Sequence, residues 1–134
     1  MNTVPVISGY LVALVAMSGS LLPSQADAVW PFGPNSAEEC RDEYVRDGKT
    51  DLAVRLIARA CTELFGDNDR EEWADCVLEH VGDTGSETAI KLIAKSCSNK
   101  AKNGASKRDK CLLKKLPGTD SELAAKRTAY SCNS

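Results

Sequence analysis

Aromatic side chains make up only 5% of these 134 residues, and histidine occurs once, at His80. So few large apolar groups leave little buried area to offset chain entropy, and a fold of this size then needs covalent help. No two cysteines stand at the C-x2-4-C spacing of structural zinc, and one histidine completes at most one tetrahedral site, which argues against a metal. No serine motif surrounds His80. If all six cysteines are oxidised, no thiol is left to partner it either, so His80 reads as a partly buried packing residue. The acidic run from Asp67 to Glu72 is not a calcium loop: the sixth position lacks glycine, and Leu78 stands where the bidentate glutamate belongs. Nothing calls for a cofactor, and a non-enzymatic protein is expected.

No charge falls between Val4 and Leu22, after which Pro23 breaks the run and Ala26-Asp27-Ala28 supplies a small-x-small cleavage pattern. Residues 1–28 are therefore expected to be a signal peptide, although no Lys or Arg precedes Arg41. An uncleaved anchor fits less well, because Pro5, Gly9, Ser18, Gly19 and Ser20 dilute the hydrophobicity and no basic flank follows. Six cysteines behind an export leader read as a disulfide framework in an oxidising compartment. The expected location is periplasmic or secreted, with no stable membrane insertion after leader removal. The segment Val29-Trp30-Pro31-Phe32-Gly33-Pro34 is too proline-rich for helix and reads as a tail, with a docking peptide as the alternative.

The cysteines fall at Cys40 and Cys61, Cys76 and Cys97, and Cys111 and Cys132, each pair 21 apart. Aligned on the first cysteine, the copies agree at Thr50, Ser86 and Ser121, at Asp51, Glu87 and Glu122, and at Ala53, Ala89 and Ala124. The agreement continues through Arg55, Lys91 and Lys126 to Ala58, Ala94 and Ala129. The hydroxyls suit N-caps, and the carboxylates after them suit the positive end of a helix dipole. The acid and base four positions apart predict a solvated stripe of ion pairs on each second helix. Glycine or proline at Gly48, Gly82, Gly85, Pro117 and Gly118 marks a reversal in each copy. The fold class is all-α: three tandem disulfide-stapled helical hairpins packed as a short repeat array, spanning about 36–66, 69–102 and 107–134. The third copy, with Ala124, Ala125, Thr128, Ala129 and Cys132 on its apolar side, is the most polar and suits a terminal cap.

Pairing of the six cysteines stays open among fifteen connectivities. Pairing within each copy leaves no thiol unmatched but implies an axial offset of roughly 7 Å, which side chains leaning toward each helix N-terminus partly recover. Joining Cys61 to Cys76 and Cys97 to Cys111 has a smaller offset and strands Cys40 and Cys132. Pairing within the copies is favoured.

The stretch from Trp73 to Cys97, with Cys76-Val77-Leu78, a glycine turn and Ser86-Glu87-x-Ala89, resembles the paired-cysteine helical-hairpin repeats of uncharacterised exported bacterial proteins. Leu116-Pro117-Gly118-x-x-Ser121-Glu122-x-Ala124 is similar, while the first copy departs from the pattern at Asp47-Gly48-Lys49. The resemblance implies fold and export, with no activity attached. Insect odorant-binding proteins and elicitins fit worse, since each needs a close cysteine pair.

Charge is unevenly spread. Residues 29–98 hold 15 acids and 8 bases, whereas residues 99–134 hold 3 acids and 9 bases. The basic cluster is Lys100, Lys102, Lys107, Arg108, Lys110, Lys114 and Lys115, spread over a linker and the third copy's first helix. A solvated helix face is one reading of it, and docking to an anionic surface is the other. No aromatic residue interleaves with the lysines, so no nucleic-acid partner is expected. The expected function is binding of a macromolecular partner, either a protein or an anionic envelope surface. The alternatives are a secreted inhibitor or effector acting through the acidic half, and a carboxylate-dependent hydrolase.

Overall fold

The computed structural model describes residues 33–134; the expected signal peptide, 1–28, and the apolar residues after it up to Phe32 lie outside the described residues. Within them the chain is all-helical: α1 Ala37–Tyr44, α2 Asp51–Leu64, α3 Glu71–His80, α4 Glu87–Asn103, α5 Lys107–Lys115 and α6 Glu122–Ser131, with one 3-10 turn at Val45–Asp47. No strand occurs among the described residues. Helices α1 and α2, α3 and α4, and α5 and α6 form three tandem hairpins, and none of the six is long and apolar enough to cross a membrane.

Each second helix starts where a hydroxyl can cap it. Thr50, Ser86 and Ser121 are the N-caps of α2, α4 and α6, and their side chains accept from the amides of Ala53, Ala89 and Ala124 at 3.0, 3.1 and 3.3 Å. The alanines shared by the copies are thus the residues whose amides are capped. The charge stripe differs from the sequence expectation. Of the three expected acid–base pairs, Glu87 and Lys91 alone form an ion pair, at 3.9 Å. Arg55 donates instead to the carbonyl of Asp51, and the Glu122 carboxylate leaves Lys126 for the neighbouring hairpin. A solvated pair four residues apart is worth only a few tenths of a kcal/mol, so a helix N-terminus with free donors outcompetes it.

All three disulfides close within hairpins: Cys40–Cys61, Cys76–Cys97 and Cys111–Cys132, with Cα separations of 5.6, 5.6 and 5.7 Å. The first cysteine of each pair lies four residues before the end of its helix, and the second lies ten residues after its helix begins. That mismatch of about 9 Å, at 1.5 Å per residue, is taken up by the connection, which climbs beyond the end of the first helix before the second turns back. Val81 and Leu116, in the second and third connections, are fully buried.

The core gathers around α4, which packs against α2, α3, α5 and α6 and buries Ala89, Ile90, Ile93, Ser96 and Cys97. From the other helices come Ile57, Val77 and Leu112, and from the third connection Leu116. α6 buries little besides Ala125 and Cys132, and Ala124, expected on its apolar face, is exposed. Its outer side is exposed, with Leu123 at 58% and Tyr130 at 80%. Phe65, just beyond the end of α2 at Leu64, is 41% exposed.

The second and third hairpins interlock at their turns. Thr84, wholly buried, donates to the His80 carbonyl at 3.2 Å and accepts from the Gly118 amide at 3.0 Å. The Thr119 carbonyl accepts from the amides of Gly85 and Ser86 at 3.1 and 2.9 Å. Gly118 has φ +81°, a conformation that disfavours any side chain. A Cβ at Gly85 would strike the Asp120 carboxylate, which itself bonds to Lys49 of the first turn at 3.1 Å.

Candidate binding surface

The structure divides the seven basic residues singled out in the sequence. α4 runs through to Asn103, so Lys100 and Lys102 sit in its last turn; the expected linker shrinks to Gly104-Ala105-Ser106. Lys100 lines a concavity of about 530 Å³ beside α3, shared with Asn68, Asp69, Glu72, Asp75 and Glu79. Lys102 borders a second, of about 450 Å³, with Arg70, Trp73 and Ser98. Arg108 is half-buried and donates to the Asn133 side chain. The remaining four lie along α5. Lys107, Lys110 and Lys114, at i, i+3 and i+7, form one exposed row, and Lys115 flanks it. Among the described residues none of the seven lies in an ion pair.

The opposite face of α5 explains why that row points outward. Leu112, Leu113 and Leu116 are buried, and so is Asp109, at 4% exposure. Asp109 closes a capping box with Ser106: Ser106 Oγ accepts from the Asp109 amide at 3.0 Å, and Asp109 Oδ2 accepts from the Ser106 amide at 3.1 Å and its hydroxyl at 2.7 Å. Its other oxygen accepts from Asn99 Nδ2 at 3.1 Å, which ties α5 to α4. Burial alone would push this carboxyl up, but Ser106, Asn99 and Ser96 together hold it below its ordinary value. In the sequence Asp109 is marked only by the capping signal Ser106-x-x-Asp109.

Glu122 fixes the third hairpin from its other helix. Its carboxylate accepts from Ser86 Oγ at 2.9 Å and from the Thr88 amide at 3.3 Å, at the N-terminus of α4. Hydrogen bonds from Thr88 and Ser86 hold its carboxyl below the usual range. On the acidic side, Glu72, Asp75 and Glu79 are exposed along α3. Trp73 is half-buried beneath the Arg59 guanidinium, 5.4 Å from the ring centre, a contact without a sequence signal. Tyr44 ionises above its usual range because of burial and the nearby carboxylates of Glu43, Asp75 and Asp47. His80 is 20% exposed, with Nε2 3.7 Å from Glu79. It borders a third concavity, about 290 Å³, with Tyr44, Asp47, Asp83 and Pro117. Among the described residues no three of His, Cys, Asp and Glu gather as metal ligands, and all six cysteines are oxidised.

No curated protein and no solved structure matches the chain significantly. One family model does, twice, over residues 18–101 and 65–134. Each matched stretch contains four cysteines, hence two hairpins, and the two stretches share the middle hairpin. Its four-cysteine unit is thus two adjacent stapled hairpins, fitted here to three, and the chain belongs to the four-cysteine protein VF_A0006-like family.

Proposed function

We propose that this small disulfide-rich helical protein is a non-enzymatic binding module that docks on an anionic surface through the lysine face of α5. The observation that carries the reading is the row Lys107, Lys110 and Lys114, exposed on one face of a helix whose other face is clamped to α4 by Asp109. Three ammonium groups on a preordered helix meet an array of phosphates or carboxylates without the cost of ordering the backbone, and their field steers the encounter. Three disulfides point to an oxidising compartment, where exported polymers and lipid headgroups supply such arrays. Export by a signal peptide, with a periplasmic or secreted destination, belongs to this proposal.

The non-enzymatic part rests on where the carboxyls are spent. Asp109 and Glu122 are both hydrogen-bonded within the scaffold and shifted downward, opposite to what a general acid requires. An inhibitor acting through the acidic half is the second reading, favoured by the concavity beside Glu72, Asp75 and Glu79. Chromatography on an immobilised anionic polymer separates the two. The oxidised protein is expected to be retained and released by salt, and K107E/K110E/K114E is expected to pass through. Retention of that variant at the wild-type salt strength would refute the α5 reading, whereas wild-type retention on an immobilised cationic polymer that is lost in E72K/D75K/E79K would implicate the acidic face.

A further inference from the structure

The second and third hairpins are one unit with its outer charge inverted. Aligned on their first cysteines, Glu72, Asp75 and Glu79 of α3 occupy the same three positions as Lys107, Lys110 and Lys114 of α5. Both rows are exposed, and the inward positions of both helices and their C-caps carry the core: Ala74, Val77, Leu78 and Val81 against Asp109, Leu112, Leu113 and Leu116. The two outer faces therefore have one geometry and opposite sign. The other charged residues at these faces do not blur the contrast: Lys115 adds to the basic row, Glu71 adds to the acidic one, and Lys100 alone intrudes on the acids.

We infer that the anionic surface met by α5 includes α3 of a second copy of this chain, so that the protein associates head to tail through the two rows. The inference rests on the α5 docking reading and names a partner for it. Charge complementarity argues for this occupant, because an acid row and a lysine row with identical spacing meet in register when two helices lie side by side. The concavity of about 530 Å³ along the acid row gives the incoming lysine stems room. Such a contact is heterologous: each copy keeps one free row and the pair keeps one of each sign, so growth proceeds to a ring or an open filament. Exposed ion pairs are screened by salt, so the association is weak and depends on ionic strength.

Sedimentation equilibrium of the oxidised chain tests this. The expected result is a mass that rises with protein concentration at about 0.01 M salt and collapses to monomer at about 1 M, as the screening length shrinks from about 30 Å to about 3 Å. E72K/D75K/E79K and K107E/K110E/K114E are each expected to be monomeric alone, because each carries two rows of one sign. Their equimolar mixture is expected to associate again, the two variants alternating in one-to-one proportion, with circular dichroism of each alone reporting that both are folded. Should a triple variant fail to fold, the single exchanges D75K and K110E, mixed in the same way, replace it. Wild type that is monomeric at all salt concentrations, or variants that stay monomeric on mixing, would overturn the inference. A monomeric wild type still retained on the polyanion sinks only self-association, whereas a wild type that is not retained sinks the docking reading itself.

Discussion

Asp109 holds α5 in place, and it does so as a buried carboxylate hydrogen-bonded within the scaffold. Its oxygens accept from Ser106 and Asn99, so truncation strands donors on two helices at once. Asp109→Ala is expected to cost about 1–3 kcal/mol, read from denaturant midpoints, by loss of the cap and desolvation of its partners. The pH dependence follows from the same bonds. The carboxyl titrates below its ordinary 3.8 in the folded chain, so its stabilisation is complete above that value and is lost as pH falls through the lowered one. Asp109→Asn is expected to be less stable at neutral pH and to show a flatter loss on acidification; an unchanged acid limb would contradict the assignment. Glu122 acts across hairpins, and Glu122→Ala is expected to speed hydrogen exchange at the Thr88 amide it caps.

Among the elements, the three second helices share one start and one staple but differ in depth. Ser86 is 1% exposed and bonded to Glu122, whereas Ser121 is exposed at the edge. Ser121→Ala should cost about 1 kcal/mol, the ordinary value of a lost N-cap, and Ser86→Ala should cost more in the same thermal melts. The disulfides differ likewise. Four of the cysteines in the first two bridges are at most 2% exposed, while Cys111 is half-buried and Cys132 is 6% exposed. Limited reduction followed by alkylation and peptide mapping should open Cys111–Cys132 first. Its replacement by alanines should remove about 3 kcal/mol, the loop-closure value for about 20 residues.

This level of organisation was the most legible in the sequence, since the interval of 21, the hydroxyl caps and the glycine turns are local and repeat three times. What depended on distant partners was not legible. Glu122 looked destined for Lys126, four residues on, until Ser86, 36 residues back, came within 2.9 Å. Lys100 and Lys102 looked like linker because nothing polar in that stretch signals that helix continues to Asn103. The row on α5 was visible only as a count of lysines. Its alignment into one face needed the helix start at Ser106 and the buried Asp109.

At the scale of the whole molecule, uniform scaffolding carries opposite charge. The hairpins repeat in caps, staples and core positions, while the outer rows turn from acidic on α3 to basic on α5. Because charge on an exposed face contributes little to stability, it is free to vary between copies while the core is not. The docking proposal accordingly assigns function to the outer rows. The two overlapping family matches fit this picture, with a two-hairpin unit extended by one hairpin that supplies both a polar end and the lysine face. The most direct test of that division is equilibrium binding of the oxidised protein to vesicles rich in anionic lipid, beside K107Q/K110Q/K114Q. At about 1 kcal/mol for each lysine near such a surface, the triple variant should bind about 100-fold more weakly with an unchanged melting profile. Equal binding by the two proteins would contradict the assignment of function to the α5 row.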